Sequence, residues 1–366
     1  MKIAFVDTTG LNYNPLTPFQ SPLGGTQSAA CFLSIAMAER GNEVWLLGKE
    51  GEGEIISGVR CKRYNTENPA TQLNAFDVVI ILTVPIAKQL REKGVSTRLI
   101  LWQHYAVDNS DSLPLIDNDE KEAWSEVVFV SEYQRKTFSE KFDLDGKVLR
   151  NAMSPAMADR KRILPNFVAR NEDPVLVYAS APGRGLDILL IAFPSIRKKF
   201  PGARLKIFSS QLMYQVQKEN DGFESYYELA RSMPGVEYLG GVSQDRLADE
   251  LLRCDIWAYP TIFLETSCIV LMEAAAAGCF LFFSEMGALP ETGGKFGRRM
   301  RPTSSRSVWC GQFAHGLCSE VDRLRQNPER TEKFLEDQAS WFRKTYTWDR
   351  RAEEWELWLT KTVMMS

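Results

Sequence analysis

Short apolar runs alternate with stretches of helical spacing along the first half of the chain. Residues 2–7 form an apolar run that predicts a strand, residues 26–40 place apolar side chains at helical spacing and end before Gly41, and residues 43–47 predict a second strand. Further continuous apolar or β-branched runs predict buried strands at 78–82, 99–102 and 127–130. This order predicts an α/β, doubly wound sheet of parallel strands.

The alternation stops between residues 154 and 173 and then begins again. Two prolines, a basic cluster at 160–162 and a polar stretch at 170–174 interrupt regular structure, so we interpret this segment as an interdomain linker. Beyond it the pattern predicts strands at 175–179, 204–208, 236–239, 256–259 and 280–283, and helices at 186–200, 244–253 and 267–277. The sequence therefore predicts two Rossmann-like domains, residues 1–160 and 170–346, whose strand ends face each other across a cleft.

The last twenty residues carry an aromatic stripe. Trp348, Trp355, Trp358 and Leu359 lie at helical spacing with charged residues between them, which predicts an amphipathic helix over 347–366. Such a helix must bury its stripe, and we expect it to pack back on the N-terminal domain. Attachment to a membrane surface is the alternative.

Length, charge and cysteine content narrow the class of protein. A chain of 366 residues favours two domains, with one large barrel as the competitor. A net charge of -3 argues against a nucleic-acid partner. Seven cysteines without a Cys-x-x-Cys pair, and only two histidines, suit reduced thiols in a cytoplasmic protein and predict no metal site. The N-terminus begins as a strand, so we expect no signal peptide, and no apolar run approaches about 20 residues.

Two glycine-containing turns lie between a predicted strand and a predicted helix. Gly24 and Gly25 open the first long helix, where free backbone N–H groups suit an anion. Arg184 lies between Gly183 and Gly185 in the corresponding turn of the second half, and its guanidinium suits phosphate oxygens. Each feature alone also has an ordinary explanation. The glycine pair can serve a tight turn, and Arg184 can be a surface arginine in a loop.

A third segment contains two acids with different surroundings. Glu265 lies in the loop after the strand at 256–259, whereas Glu273 lies inside an apolar helix, where a carboxylate is costly unless it is hydrogen-bonded. The start of that helix, near Ser267 and Cys268, presents further N–H donors. The pattern predicts a second anion site, and a buried glutamate satisfied by local backbone is the alternative.

The spacing of the two acids resembles the Glu-x7-Glu motif of family 4 (group 1) retaining glycosyltransferases, which have the GT-B fold. The likeness extends along nearly the whole chain, through segments 24–25, 102–104, 130–131, 150–152, 184–186, 238–242 and 287–291. Two departures stand out. The family commonly has Glu-Gly-Phe-Gly where this chain has residues 265–268, and Gly-Arg where it has Ala179 and Ser180.

The resemblance implies a role for each matched residue. Glu265, His104 and Arg184 would be catalytic, with His104 reaching the donor sugar from the opposite domain. Glu273 would bind the ribose hydroxyls, and Val242 and Leu247 would border the base. The remaining donor-binding residues would be Gly24, Gly25, Ser180, Thr266, Ser267, Cys268, Ile269 and Val270.

The function implied is that of a retaining, metal-independent hexosyltransferase without a cofactor. It would move a sugar from a nucleotide-diphosphate donor, UDP- or GDP-linked, to a glycan, glycolipid or small-molecule acceptor in cell-envelope polysaccharide biosynthesis. Cytoplasmic location is expected, with peripheral contact at the inner face of the membrane left open. A nucleotide-sugar 2-epimerase of the same architecture and a non-catalytic nucleotide-sugar-binding protein are the alternatives.

Overall fold

A computed structural model describes residues 1–363, and the last three residues of the predicted helix 347–366 lie outside the described residues. The chain forms two compact units. The first unit contains Met1–Pro18, Leu23–Ala152 and the chain from Thr347 onward. The second unit contains Phe19–Pro22 and Met153–Tyr346.

The first unit has an eight-stranded sheet in the order β3-β4-β2-β1-β5-β6-β7-β8. Neighbouring strands are parallel except for the pair β3 and β4. The strands are β1 (Lys2–Val6), β2 (Glu43–Gly48), β3 (Glu52–Ile56), β4 (Val59–Arg63), β5 (Val78–Leu82), β6 (Arg98–Gln103), β7 (Glu126–Phe129) and β8 (Lys147–Val148). β5 is buried at every position, because both of its faces are covered.

Helices alternate with these strands. They are α1 (Thr17–Gln20), α2 (Gly25–Glu39), α3 (Pro69–Leu73), α4 (Ala87–Glu92), α5 (Asn118–Ala123), α6 (Glu132–Phe142) and a 3₁₀ helix at Ser110–Ile116. The hydrophobic core forms between strands and helices and includes Val79, Leu101 and Phe138. The order of strands reverses between β1 and β5, so the loops after these strands leave the sheet at its topological switch point.

The second unit has a six-stranded parallel sheet in the order β11-β10-β9-β12-β13-β14. Its strands are β9 (Val175–Ala179), β10 (Arg204–Phe208), β11 (Val236–Tyr238), β12 (Ile256–Tyr259), β13 (Phe280–Ser284) and β14 (Arg298–Met300). β9, β12 and β13 are buried along their whole length. The switch point of this sheet lies between β9 and β12.

The helices of the second unit surround this sheet. They are α7 (Pro155–Ala158), α8 (Phe167–Arg170), α9 (Leu186–Lys199), α10 (Glu224–Ser232), α11 (Gln244–Leu251), α12 (Ile269–Ala276), α13 (Leu289–Gly293), α14 (Arg306–Gln326) and α15 (Pro328–Thr345), with 3₁₀ helices at Gln211–Tyr214 and Lys218–Asn220. Sequence reasoning gave no prediction for α14 and α15. It also missed the hairpin of β3 and β4, which lies at the edge of the sheet. The charged residues in these two strands interrupt the apolar run that would predict a buried strand.

The final helix, α16 (Trp348–Val363), packs within the first unit. Its Trp348 ring lies 5.9 Å from Phe32 of α2, and its Trp355 ring lies 5.3 Å from Trp102 of β6. Arg98 donates to the carbonyl of Leu359 at 3.1 Å. The aromatic stripe is thus covered by the first unit. Within residues 1–363, no helix combines the length and apolar character needed to cross a membrane.

Candidate functional site

Gly185 allows two loops of the second unit to touch at the switch point of its sheet. It caps the N-terminus of α9 with a φ of 98°, in the left-handed region that favours glycine. A Cβ at this position would lie 3.0 Å from Cα of Thr261 and 3.1 Å from the carbonyl oxygen of Pro260. The loop after β9 therefore lies directly against the loop after β12. This contact brings Arg184 to Glu265.

Arg184 and Glu265 form an ion pair. Nη1 of Arg184 lies 3.1 Å from both carboxylate oxygens of Glu265. The Glu265 side chain is 3% exposed and the Arg184 side chain 31% exposed, so the pair is reached by solvent from the arginine side. Burial by itself would lower the pKa of Arg184, but the neighbouring carboxylate raises it above its ordinary value. The guanidinium therefore stays charged, and it lies 4.4 Å from the ring centre of Phe263.

Tyr259 is a site residue that sequence reasoning missed. Its hydroxyl donates to Oε1 of Glu265 at 2.6 Å and lies 3.1 Å from Oγ of Ser180. Because a phenol has a single proton, Ser180 must donate to Tyr259. Burial and the charge of Glu265 raise the pKa of Tyr259 well above its ordinary value, so the hydroxyl remains a donor. Ser180 thus joins the site through a chain of two hydroxyl groups, its own and that of Tyr259.

The only sequence signal for Tyr259 was a phenol at the carboxyl end of an otherwise apolar strand. Such a hydroxyl needs a partner when the ring is buried, and the loop beyond the strand is where partners occur. Phe263, the other missed residue, is 39% exposed although it is a large aromatic side chain. Its contact with Arg184 accounts for its position.

Gly287 fixes the backbone of Glu265. Its φ is 56°, and a Cβ there would lie 2.2 Å from the carbonyl oxygen and 2.5 Å from the nitrogen of Glu265. The next residue, Ala288, donates its N–H to the same carbonyl at 2.6 Å. The turn after β13 therefore holds the backbone of Glu265, while Gly185 contacts residues 260 and 261 of the same loop. Segment 287–291, one of those that carry the family resemblance, therefore contacts the backbone of Glu265 directly.

Glu273 lies in α12 and is 2% exposed. Its Oε1 accepts the backbone N–H of Ser154 at 3.1 Å. Burial raises the pKa of Glu273 to about 8, against a smaller lowering by that hydrogen bond. At neutral pH the side chain is therefore largely protonated. The structure thus gives this acid a different partner from Glu265, which is ion-paired with Arg184.

The N-terminus of α12 follows the loop of Glu265. Cys268 occupies the N-cap position and makes no side-chain cap hydrogen bond. Ile269 and Val270 are half-buried, whereas Thr266 and Cys268 are buried and Ser267 is intermediate. The first N–H groups of a helix have no acceptor within that helix, and its dipole favours an anion there. This end of α12 can therefore hold a negatively charged group.

Val242 and Leu247 lie on another segment of the second unit, at the start of α11. Val242 is half-buried and Leu247 is buried. Ser243 caps this helix by accepting the N–H of Arg246. Val242 follows the turn at Gly240, which has a φ of 69°, and Leu247 lies within α11. They belong to the same unit as Arg184 and Glu265 but not to that hydrogen-bonded cluster.

Gly24, Gly25 and His104 belong to the first unit. Gly24 is the N-cap of α2 and makes no side-chain cap, and Gly25 is the exposed first residue of that helix. His104 follows β6 and packs edge-on against the ring of Trp102, with ring centres 4.5 Å apart. Burial lowers the pKa of His104 to about 3, so the imidazole is neutral. These three residues lie at the carboxyl edge of the sheet.

Asp7 organises the loop between β1 and α2. It accepts hydrogen bonds from the Tyr13 hydroxyl at 2.8 Å, the Gln27 side chain at 3.1 Å and the N–H of Thr9 at 2.7 Å. The carboxylate thereby ties the loop to the first turns of the helix that begins at Gly25. Asp7 was predicted as the last residue of the first strand, without a role in the site, whereas it follows β1 (Lys2–Val6). Within the described residues, no three His, Cys, Asp or Glu side chains lie close enough together to hold a metal ion.

Comparisons with known proteins give a family match for part of the chain. Residues 159–298 match the family model described as glycosyl transferases group 1. The chain is 30% identical over 250 residues to the GDP-mannose-dependent alpha-(1-6)-phosphatidylinositol monomannoside mannosyltransferase of Mycobacterium tuberculosis, an alignment that covers 62% of this chain. The chain spans 59% of the length of that relative.

Solved structures of low sequence identity share the fold. Sucrose-phosphate synthase from Thermosynechococcus elongatus superposes with a TM-score of 0.72 at 15% identity, covering 100% of both chains. HepE of Anabaena in complex with UDP-glucose superposes with a TM-score of 0.67 at 13% identity, again covering 100% of both chains. The predicted α/β fold class, GT-B, is confirmed. By the match of its second unit and by its fold, the chain resembles the group 1 glycosyltransferases.

Proposed function

We propose that this protein transfers a hexose-type sugar from a nucleotide-diphosphate sugar to a carbohydrate or lipid-linked acceptor. The observation that carries the proposal is the cluster of Arg184, Glu265 and Tyr259 at the switch point of the second unit. Ligands of open α/β sheets bind at such points. The relative from M. tuberculosis is named for its use of GDP-mannose, and HepE was solved with UDP-glucose.

Arg184 is placed to hold the diphosphate. Its Nη1 contacts Glu265, and a guanidinium has further donors that can serve a second anion. The N-terminus of α12, with the N–H groups of Ile269 and Val270, offers a second set of donors to the same group. Negative charge grows on the leaving diphosphate as the glycosidic bond breaks. Fixed donors stabilise that charge, and loss of one typically costs about 3 to 4 kcal/mol in the barrier.

A metal ion is unnecessary in this proposal, since Arg184 and the N-terminus of α12 serve the diphosphate. The buried Glu265 lies beyond Arg184 and contacts the donor sugar, while Glu273 accepts hydrogen bonds from the ribose hydroxyls. His104 acts as a neutral imidazole and hydrogen-bonds a sugar hydroxyl. The resemblance implies retention of the anomeric configuration, with the departing phosphate accepting the proton of the acceptor.

The acceptor in this proposal is a glycan or a glycolipid. The relative from M. tuberculosis acts, by its name, on a phosphatidylinositol monomannoside. We place the protein in the cytoplasm, in contact with the membrane surface where such an acceptor lies. A role in building cell-envelope polysaccharides would follow.

A donor panel tests the proposal. GDP-mannose, UDP-glucose, UDP-N-acetylglucosamine and ADP-glucose are added to the purified protein, and the melting temperature is measured, because a ligand of the folded state stabilises it by mass action. We expect one base to stabilise the protein and the others to have little effect. Absence of any shift with all four donors at millimolar concentration would contradict the proposal.

Product analysis with the selected donor separates the alternatives. A transferase needs an acceptor and forms a new glycoside, whose anomeric proton coupling reports retention. An epimerase converts the donor without an acceptor, and a binding protein leaves it intact. Turnover that survives a chelator supports metal independence, and turnover restored only by a divalent cation contradicts it.

A further inference from the structure

Two buried glutamines join the carboxyl ends of three neighbouring strands in the first unit. Gln103 is the last residue of β6, and Gln134 lies in the first turn of α6, which follows β7. Both side chains are fully buried. Burying an amide is costly unless its donors and acceptors are paired, so their partners show what the side chains do.

Gln103 holds the peptide groups that follow its own strand. Its Oε1 accepts the N–H of His104 at 3.0 Å and the N–H of Tyr105 at 2.9 Å. Its Nε2 donates to the carbonyl of Thr83 at 3.2 Å. The backbone that carries His104 is thereby fixed against the end of β5.

Gln134 holds the same backbone from the other side. Its Nε2 donates to the carbonyl of Tyr105 at 2.8 Å, and its Oε1 accepts the N–H of Val130 at 2.9 Å. Its own N–H donates to Oγ of Ser131 at 3.1 Å. The N–H and the carbonyl of Tyr105 are thus held by two different glutamines, one at the end of β6 and one in the first turn of α6.

Thr83 stores backbone strain at this point. It has a φ of 58°, an uncommon conformation for a β-branched residue, and it is fully buried. The N–H of Val84 donates to the carbonyl of Leu82 at 2.6 Å, which makes a three-residue turn centred on Thr83. Such conformations are energetically costly and cluster at functional sites. This one aims a carbonyl at Gln103, at the switch point of the sheet.

The opposite edge of the same sheet offers a comparison. Oδ1 of Asn74 accepts the N–H groups of Ser96 and Thr97 at 2.8 and 3.4 Å, and its Nδ2 donates to the carbonyl of Gly94 at 3.0 Å. An exposed asparagine thus makes the same three bonds between the loops that precede β5 and β6. Connecting two strands does not require a buried amide or a strained threonine. The added cost at the carboxyl edge points to a need for rigidity there.

We propose that Gln103 and Gln134, supported by the turn at Thr83, are positioning residues that set the orientation of His104 for contact with the donor sugar. The proposal rests on the proposed function, in which His104 contacts that sugar. It assigns to the two glutamines an effect on turnover that acts through the His104 ring. Neither glutamine contacts the sugar.

Amide-to-carboxylate variants test it. Gln103→Glu keeps an oxygen that accepts the N–H groups of His104 and Tyr105, but it replaces the amide donor to the carbonyl of Thr83 with a second oxygen. Gln134→Glu likewise replaces the amide donor to the carbonyl of Tyr105 with an oxygen. Asn74→Asp is the matched control, with the same bonds at the edge that carries no predicted site residue. We expect at least a tenfold fall in kcat for each glutamine variant and less than a twofold change for the control.

The NMR resonances of the His104 ring give a measurement that a change in stability alone would not alter. The chain has two histidines, so the imidazole resonances of His104 and His315 can be assigned by single substitution. We expect Gln103→Glu and Gln134→Glu to shift the His104 resonances and leave those of His315 in place. Wild-type resonances and wild-type kcat in both variants would overturn the proposal.

A variant that relaxes strain covers the case in which the glutamine variants fail to fold. Thr83→Gly accepts the same φ without a Cβ, so we expect an unchanged or higher melting temperature together with a several-fold lower kcat and displaced His104 resonances. Unmoved resonances and full turnover in this variant would count against positioning.

A double-variant cycle separates this proposal from the proposed function. Adding Gln103→Glu to His104→Ala should lower kcat no further, because the effect runs through the missing ring. An equal fall in both backgrounds overturns the positioning role. A wild-type protein that transfers no sugar contradicts the proposed function instead, and the His104 resonances of the free protein still decide the positioning.

Discussion

Glu265 and Glu273 lie eight residues apart in the second unit, are equally buried at 2% exposure, and have different partners. Glu265 faces the guanidinium of Arg184 and the hydroxyl of Tyr259. Glu273 accepts the N–H of Ser154, and its pKa rises to about 8. Equal burial therefore does not give equal chemistry. Whether a buried acid carries charge depends on the donors that the fold brings to it.

Two glycines allow the close backbone contacts that bring hydrogen-bond donors to Glu265. Gly185 permits the contact that delivers Arg184, and Gly287 permits the turn that holds the Glu265 backbone. Glu273, in contrast, is positioned by a regular helix whose other residues are mostly apolar. Glu265 lies where loops after three strands meet, and it is paired there with a cation. Glu273 is held in an apolar helix, where a ligand with hydroxyl donors would change its protonation state.

Removing the cation from Glu265 should give the largest effect. We expect Arg184→Ala to lower kcat by about 100- to 1000-fold while the protein stays folded, because the leaving diphosphate loses a donor worth about 3 to 4 kcal/mol. Arg231→Ala is the matched control, since Arg231 also pairs with an acid, Glu224 at 2.8 Å, and lies 4.8 Å from an aromatic ring, that of Tyr238. Steady-state kinetics at saturating donor measure the difference. Near wild-type turnover in Arg184→Ala would refute the assignment.

The protonation of Glu273 predicts a pH-dependent stability. Its pKa is about 8 in the folded protein against an ordinary value of 4.5, so between these values the folded state binds more protons than the unfolded state. Stability contributed by this group is complete below about pH 4.5 and is lost as the pH rises toward 8. Glu273→Gln cannot titrate and should keep that stability.

Urea unfolding at pH 5 and pH 7 measures this effect. Relative to Glu273→Gln, the wild type should lose on the order of 3 kcal/mol between these pH values, at about 1.4 kcal/mol per pH unit. Parallel pH profiles for the two proteins would show that Glu273 is charged in the folded state, and the contrast with Glu265 would then be lost.

Most strand positions could be predicted from the sequence, because a short continuous run of apolar residues has few other interpretations. The strands at 78–82 and 256–259 have the predicted bounds. The ion pair of Arg184 and Glu265 could not be predicted in this way. These residues are 81 positions apart in the sequence and lie close together because β9 pairs with β12. Strand order is set by packing of the whole unit, which a local pattern does not contain. The partner of Glu273, a backbone N–H at Ser154, has no side-chain signature at all.

Gly287→Ala should disturb Glu265 specifically. Gly41→Ala is the matched control, because Gly41 also has a positive φ, 88°, while its Cβ would meet no heavy atom within 4 Å. Both variants incur the cost of a left-handed alanine, about 1 to 2 kcal/mol. We expect Gly287→Ala to lose about 2 kcal/mol more, with lower kcat, since its Cβ overlaps the Glu265 backbone. Equal melting temperatures and equal kcat in the two variants would show that the turn does not clamp Glu265.

Tyr259→Phe should give the smallest effect and tests whether Glu265 depends on more than its cation. Loss of the hydroxyl removes the 2.6 Å hydrogen bond to Glu265 and leaves Ser180 without this acceptor, at a cost of about 1 to 2 kcal/mol in stability. Tyr178→Phe is the matched control, because the hydroxyl of this equally buried tyrosine donates at 2.8 Å to the neutral carbonyl of Ala181. We expect the Tyr259 variant to lose several-fold in kcat and the Tyr178 variant to lose stability with little change in turnover. If both variants keep wild-type turnover, Arg184 alone defines the state of Glu265, and the hydroxyl chain from Ser180 through Tyr259 serves only to hold the two loops together.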